Sequence, residues 1–407
     1  MRIEQLKDII QSTHINFMLG SGLSVPYLKT LSNIENWLTQ CSSIQDKKAR
    51  LLLEDNLKMA YVEDVMKPCL FEYRQERKED LSKVKHAYKD FLRCWNYIIS
   101  HRGGGLLSKQ VNLFTTNIDP FVEESAEDLG IEFNNGFKGI ITPTLREESF
   151  NSVISKVSPL YQKTSETPTF NYFKIHGSIN WKVGRSENEI VYDRELSVLK
   201  EVVDALNSYP EDYKILEISQ KNQSEIEQIA EGNTGMTFDD LENLACDLTL
   251  DRSETDDERI VKENFREAYN KLVMIHPKKT KFKETVLDLH FYELMRLYSN
   301  ALEQSSTCLF VAGFSFADEH IAQITLRAAS ANPTLLIVIF AYNDEAGQSI
   351  SNYLRGCNNN NIIILTPKTF YEAQNEAYVN RLGETCDVFD LESINKYVFE
   401  PIVYLIK

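Results

Sequence analysis

The stretch Ile15-Asn16-Phe17-Met18-Leu19-Gly20-Ser21-Gly22-Leu23-Ser24 runs an apolar, β-forming segment directly into a glycine turn. The same arrangement recurs twice further on. Val111-Asn112-Leu113-Phe114 leads into Thr115-Thr116-Asn117-Ile118-Asp119, and Phe170-Asn171-Tyr172-Phe173-Lys174-Ile175 leads into His176-Gly177-Ser178. Strand ends that carry a glycine turn, an Asn/Asp pair and a histidine fit an open α/β sheet, in which ligands sit just beyond the carboxyl ends of the strands.

Outward from these segments, the pattern sorts into elements. Residues 1–13 read as a helix leading into the first strand. Residues 33–101 carry Leu, Lys, Glu and aromatics at helical spacing, with 87–99 an amphipathic or largely buried helix. Gly103-Gly104-Gly105 breaks that pattern. Pro120 opens a helix that Gly130 ends. Residues 183–270 are polar and acidic, with helices expected from Ile215 to Glu231 and from Phe238 to Leu248. The α/β rhythm then returns, with Val273-Met274-Ile275 a strand, Glu284 to Glu303 a helix, and Ser306 to Gly313 a strand into a turn. A helix from Glu319 to Ser330, a strand at 334–341, a helix at 344–355 and a strand from Asn361 to Leu365 complete it. Alternation of this kind marks a mostly parallel sheet. The expected fold is α/β: a Rossmann-like, mostly parallel sheet with helices on both faces, plus an inserted helical module. Residues 1–182 form its first part, 183–271 the acidic insert, and 272–407 its second part and C-terminal tail.

Composition narrows the function classes. A net charge of −16 over 407 residues opposes nonspecific binding to nucleic acid, which is not expected for the chain alone. Lys278-Lys279-Thr280-Lys281-Phe282-Lys283 is the best basic patch and reads as a solvated loop or helix start. The seven cysteines include no Cys-x-x-Cys pair, so they form no zinc ribbon and fit reduced thiols. No apolar run is long enough for a bilayer, and the first residues lack the features of a signal peptide. A cytoplasmic protein with no membrane partner is expected.

The motifs carry the chemistry. Gly20, Ser21, Gly22 and Ser24 form a turn where backbone and hydroxyl can meet a pyrophosphate, although a ligand-free strand-to-helix turn would show the same residues. A third glycine and a Walker lysine are both missing, which weighs against hydride transfer and ATP binding. Thr115, Asn117 and Asp119 concentrate polar groups at a strand end. Asp119 suits a helix N-cap ahead of Pro120, but one cap needs one acceptor and Asn117 remains for a ligand. His176 suits a general base if it faces a pocket; a structural histidine is the alternative. His14, His86, His101, His276, His290 and His320 show no metal-ligand spacing, and no metal is assigned. Gly313 and Ser315, then Asn343, follow the next two strands and suit ribose or adenine contacts, or ordinary capped turns.

Taken together, these motifs resemble the sirtuin superfamily. Gly20–Ser24 resembles its phosphate loop. Thr115-Thr116-Asn117-Ile118-Asp119 resembles its Thr-Gln-Asn-Ile-Asp motif, with Thr116 in place of glutamine. His176-Gly177-Ser178 is similar to its catalytic His-Gly segment, Gly313 and Ser315 to its Gly-Thr-Ser turn, and Asn343 to the asparagine after the following strand. The resemblance spans roughly residues 10–182 and 272–370. It lacks the four-cysteine zinc module, so no zinc is expected, and Val25-Pro26-Tyr27-Leu28 departs from the Gly-Ile-Pro-Asp-Phe-Arg pattern of the deacylases. The pattern is closer to the sirtuin-like NAD hydrolases of bacterial anti-phage defence, in particular stand-alone members that partner a HerA-type ATPase.

That resemblance implies an NAD+ glycohydrolase that cleaves the nicotinamide–ribose bond, with NAD as substrate. The diphosphate would rest on Gly20–Ser24 and Asp119 would bond the carboxamide. Asn117 would position water and ribose, and His176 would act as base. It further implies a homo-oligomer controlled by assembly with the ATPase. A scaffold binding NAD or ADP-ribose, a nuclease subunit of a DNA-processing complex, and a protein deacylase are the alternatives. The missing zinc cysteines weigh against the deacylase, and the lack of an Asp/Glu metal cluster weighs against a nuclease acting alone.

Overall fold

In a computed structural model of the chain, the described residues are 1–30, 34–102, 107–160, 162–186, 188–218, 237–250, 254–276, 287–356, 359–375, 378–379 and 385–406. They divide into two compact units, Met1–Ser24 with Glu79–His176 and Leu289–Lys407, and Val25–Lys78 with Gly177–Asp288. Among the described residues no helix is long and apolar enough to cross a membrane.

The first unit is α/β and Rossmann-like. Its seven-stranded sheet consists of β1 (His14–Leu19), β2 (Gln110–Thr115), β3 (Phe133–Asn134), β8 (Thr169–Lys174), β11 (Thr307–Ala312), β12 (Leu335–Phe340) and β13 (Ile362–Leu365). The order is β13-β12-β11-β1-β2-β8-β3, and each neighbouring pair is parallel. A parallel sheet covered on both faces needs strands buried at consecutive positions, not alternating ones. Every residue of β8 and β11 is buried accordingly. On one face Phe17 meets Phe91 and Trp95 of the helix Lys78–Ser100, with ring centroids 5.0 and 4.8 Å apart. On the other, Phe114 stacks on Phe173 at 4.5 Å and meets Tyr298 of the helix Leu287–Glu303 at 5.0 Å. Two antiparallel hairpins lie outside this sheet, β4 (Phe137–Lys138) with β5 (Thr144–Leu145) and β6 (Ser155–Val157) with β7 (Thr164–Glu166).

Register levels the motif-bearing ends. Leu19 pairs with Thr115 on one side and Ala312 on the other, and Thr115 pairs with Lys174. The residues that follow, from Gly20, Thr116, Ile175 and Gly313, therefore leave the sheet along one edge.

A row of asparagines crosses four strands in the same register. Asn16 pairs with Asn112, Asn112 with Asn171, and Asn171 with Asn134. Asn112 Nδ2 donates to Asn16 Oδ1 at 2.9 Å, Asn171 Nδ2 to Asn112 Oδ1 at 3.1 Å, and Asn134 Nδ2 to Asn171 Oδ1 at 3.1 Å. On β11 the partner of Asn16 is Leu309, which offers its side chain no acceptor, and Asn16 Nδ2 has none among the described residues.

The second unit is mainly helical, with Ile34–Gln40, Lys47–Tyr61, Ser197–Asn207, Ile215–Ile218, Phe238–Leu250 and Asp256–Asn270, and a hairpin of β9 (Trp181–Val183) and β10 (Ile190–Tyr192). The acidic stretch expected as a separate module shares this unit with residues from the first hundred. Asp55 accepts Arg266 Nε at 2.8 Å and the Tyr209 hydroxyl at 3.0 Å, and Asn56 donates to Tyr213 O while accepting from the Ile215 amide. The helical segment 33–101 is thus divided: the helix Lys78–Ser100 packs aromatics on the sheet of the first unit from Glu79 onward, and the residues before it belong to the second unit.

Most other expected elements are present within a residue or two. Val273-Met274-Ile275 is an exception: it contributes a single bridge from Met274 to Gly177. The Gly103-Gly104-Gly105 break, the basic run 278–283, the helix expected across 219–231, and residues 284–286 of the long helix lie outside the described residues.

Candidate functional site

The carboxyl edge of β1, β2, β8 and β11 holds a connected set of polar side chains within the first unit. Gly20 and Gly313 are where two turns meet. The Gly20 amide donates to Ala312 O and the Gly22 amide to Gly313 O, each at 3.0 Å. A Cβ on Gly20 would stand 2.2 Å from Gly313 O, and one on Gly313, at φ +64°, would meet Leu23 Cγ at 2.6 Å. Close approach of the turns thus accounts for both glycines. Ser21 opens the single 3-10 turn Ser21–Ser24 and is exposed.

Ser24 ends that turn buried. Its hydroxyl lies 2.9 Å from Asp119 Oδ2 and 3.2 Å from the Tyr88 hydroxyl. Ser24 has one hydrogen and gives it to the carboxylate, so Tyr88 is the donor to Ser24. Asp119 Oδ1 accepts from the Phe121 amide at 3.1 Å, at the start of the helix Phe121–Leu129. Burial pushes the Asp119 carboxyl above its ordinary value, against the opposing pull of Lys174, the Phe121 amide and Ser24. Burial, then the Asp119 charge, raises the Tyr88 phenol.

Below Asp119 lies an ion pair. Lys174 Nζ donates to Asp119 O at 2.7 Å and sits 2.9 Å from Glu123 Oε2. It secures the Asp119 peptide from beneath.

Thr115 and Asn117 link β1 to β2. The Thr115 hydroxyl donates to Leu19 O at 2.8 Å and accepts from the Asn117 amide at 3.0 Å. Asn117 Nδ2 donates to Gly20 O at 3.1 Å. Asn117 Oδ1 has no partner among the described residues, although the residue is only 6% exposed. Such an acceptor costs about 1–3 kcal/mol unless something donates to it.

His176 follows β8 by two residues, as Asn117 follows β2 by two from the paired Thr115. Its Nε2 lies 3.1 Å from Asp318 Oδ2, with side-chain exposures of 15% and 11%. Asp318 also caps the helix Glu319–Ala331, its Oδ1 accepting from the His320 and Ile321 amides at 2.9 and 3.2 Å.

Hydrogen bonds therefore join Gly20 to Asn117 and Thr115, Gly22 to Gly313, and Ser24 to Asp119, and His176 lies beside Asp318 in the loop that follows Gly313. Ser315 and Asn343 serve their own turns. The exposed Ser315 hydroxyl accepts from the Ala317 amide at 3.4 Å, and Asn343 Oδ1 accepts from the Ala346 amide at 2.9 Å. Among the described residues no three His, Cys, Asp or Glu side chains gather into a metal set.

Sequence reasoning missed Asp318, Lys174, Glu123 and Tyr88. Lys174 had a visible signal: it is the one charged residue in the strand Thr169–Lys174, two positions before His176. Asp318 has the local signature of a helix cap, a role its Oδ1 fills, and that role hides its second oxygen. No protein-family model matches this chain, and no curated protein matches it.

Proposed function

We propose that this edge binds NAD+ and hydrolyses its nicotinamide–ribose bond. The observation that carries the reading is Asn117 Oδ1, a buried acceptor beside the Gly20 turn with no donor among the described residues. A ribose hydroxyl or a water molecule supplies the donor it lacks. His176 is the second support: an imidazole with a carboxylate partner at the end of the neighbouring strand. In this reading the C–N bond breaks with its electron pair leaving on nicotinamide, and oxocarbenium character develops on the ribose. Water held by Asn117 bonds to the anomeric carbon and its proton passes to His176. The products are nicotinamide, ADP-ribose and a proton. The order of the motifs also supports a role in anti-phage defence, in a cytoplasmic homo-oligomer held in check with a HerA-type ATPase.

Binding of NAD or ADP-ribose without turnover is the second reading. It is favoured by the Gly22 amide and both Asp119 oxygens being engaged inside the chain. The deciding experiment is chromatography of nicotinamide released from NAD+ by the purified chain, with and without the ATPase. Asn117→Ala and His176→Ala should each lower release by about 10²-fold or more. Folded variants that both turn over like the parent would remove the hydrolase assignment, and ADP-ribose binding with no release would favour the scaffold.

A further inference from the structure

We infer that Thr115 is a positioning residue: its hydroxyl clasps the exit of β1 and bends the chain so that Asn117 is held with Oδ1 as the end left to a ligand. The inference rests on the reading of Asn117 as the group that holds ribose and water. Thr115 ends β2 among the polar residues expected to meet a ligand. Its hydroxyl is committed inside the chain instead.

Thr115 is only 1% exposed. A carbonyl only accepts, so the single hydroxyl hydrogen goes to Leu19 O, 2.8 Å away. The hydroxyl oxygen in turn accepts the Asn117 amide at 3.0 Å. That second bond spans two residues and bends the chain as it leaves the strand. The bend brings Asn117 to β1, where its Nδ2 donates to Gly20 O at 3.1 Å. Leu19 and Gly20 are consecutive, so two donors from one bend take two successive carbonyls.

A carboxamide turned over would set oxygen against oxygen at Gly20 O. Nδ2 therefore stays there, and Oδ1 is the end that remains. What docks on it must bring a hydrogen, as a ribose hydroxyl or water does and a diphosphate oxygen does not. The Thr115 backbone completes the joint: Thr115 O accepts the Ile175 amide at 2.9 Å, one residue before His176.

Three variants of the full chain test this. Thr115→Val keeps the shape and loses both hydroxyl bonds, Thr115→Ala loses them without adding an atom, and Thr115→Ser keeps them. The first readout is hydrogen exchange at the Asn117 amide, resolved to single residues by mass spectrometry. Exchange should be about 10-fold faster in Thr115→Val and Thr115→Ala and parent-like in Thr115→Ser, with the β2 amides unchanged. The second readout is nicotinamide release from NAD+. In Thr115→Val, kcat should fall by about 10-fold or more with KM little changed, and Thr115→Ser should restore it. A raised KM with kcat kept would make Thr115 a ligand contact and overturn the inference. Parent-like Asn117 exchange in Thr115→Val and Thr115→Ala, lost protection along all of β2, or a serine variant no better than valine would overturn it too. If the parent releases no nicotinamide, the hydrolase reading fails, and exchange alone decides the role of Thr115.

Discussion

Lys174 and Glu123 form an ion pair 2.9 Å long with only 2% and 7% of their side chains exposed. Replacing either partner alone removes the opposite charge beside a buried ionised group. Lys174→Met is expected to lower the unfolding free energy by about 3–5 kcal/mol. Lys174→Met with Glu123→Leu should recover most of that loss. Denaturant unfolding of the three proteins checks the ordering.

The contact between the two glycine turns makes a sharper steric prediction. Gly20→Ala places a methyl 2.2 Å from Gly313 O, backbone against backbone. It should cost at least about 2 kcal/mol. Gly130→Ala is the control, because Gly130 ends its helix at φ +61° with open space around it. That substitution should cost about 1–2 kcal/mol, from the left-handed backbone alone. Equal losses in denaturant melts would mean that the turns separate readily.

Asn112 stands in the middle of the asparagine row and serves two neighbours. Asn112→Ala strips Asn16 of a donor and Asn171 of an acceptor, and should cost about 2–4 kcal/mol. Asn16→Ala disturbs only one link, and about 1–2 kcal/mol is expected. The comparison is again made by equilibrium unfolding, and the inverse ranking would contradict the row's continuity.

Asp119 gives stability a definite pH dependence. Its folded carboxyl is raised above the ordinary 3.8, so the folded chain holds that proton more tightly than the unfolded chain. The group therefore contributes stability at low pH that is lost as pH rises from 3.8 through the folded value. Asp119→Asn cannot ionise and keeps an oxygen for the Phe121 amide. The unfolding free energy of the variant relative to the parent should rise by up to about 1.4 kcal/mol per pH unit across that window. Matched denaturant titrations at several pH values give the slope, and a flat or falling difference would reverse the sign assigned to Asp119.

Most of the sheet was legible in the sequence because its longer strands are largely apolar runs that end in a turn, as at Leu19–Gly20 and Ala312–Gly313. The same runs placed Asn117 and His176 at one edge. What joins side chains across hundreds of residues was not legible. Asp318 is a good helix cap on local grounds, and nothing nearby in sequence reveals that its other oxygen faces His176. Gly20 read as a phosphate-turn residue and Gly313 as a ribose or adenine contact, whereas the space that Gly20 saves is taken by the Gly313 backbone and the space that Gly313 saves by Leu23. The division of residues 33–101 likewise depends on Asp55 and Asn56 finding partners beyond residue 200.

The asparagine row has a consequence for assembly. A strand threaded one residue out of place would turn its carboxamide to the opposite face of the sheet. Two residues out of place, Asn112 would confront His14 or Met18 in place of Asn16. Strands brought together from distant parts of the chain are thus checked against each other at one level, and a mismatch anywhere in the row breaks hydrogen bonds with its neighbours. The four side chains act as an alignment mark for the sheet, and the edge where Asn117 and His176 emerge is set by strands that carry that mark.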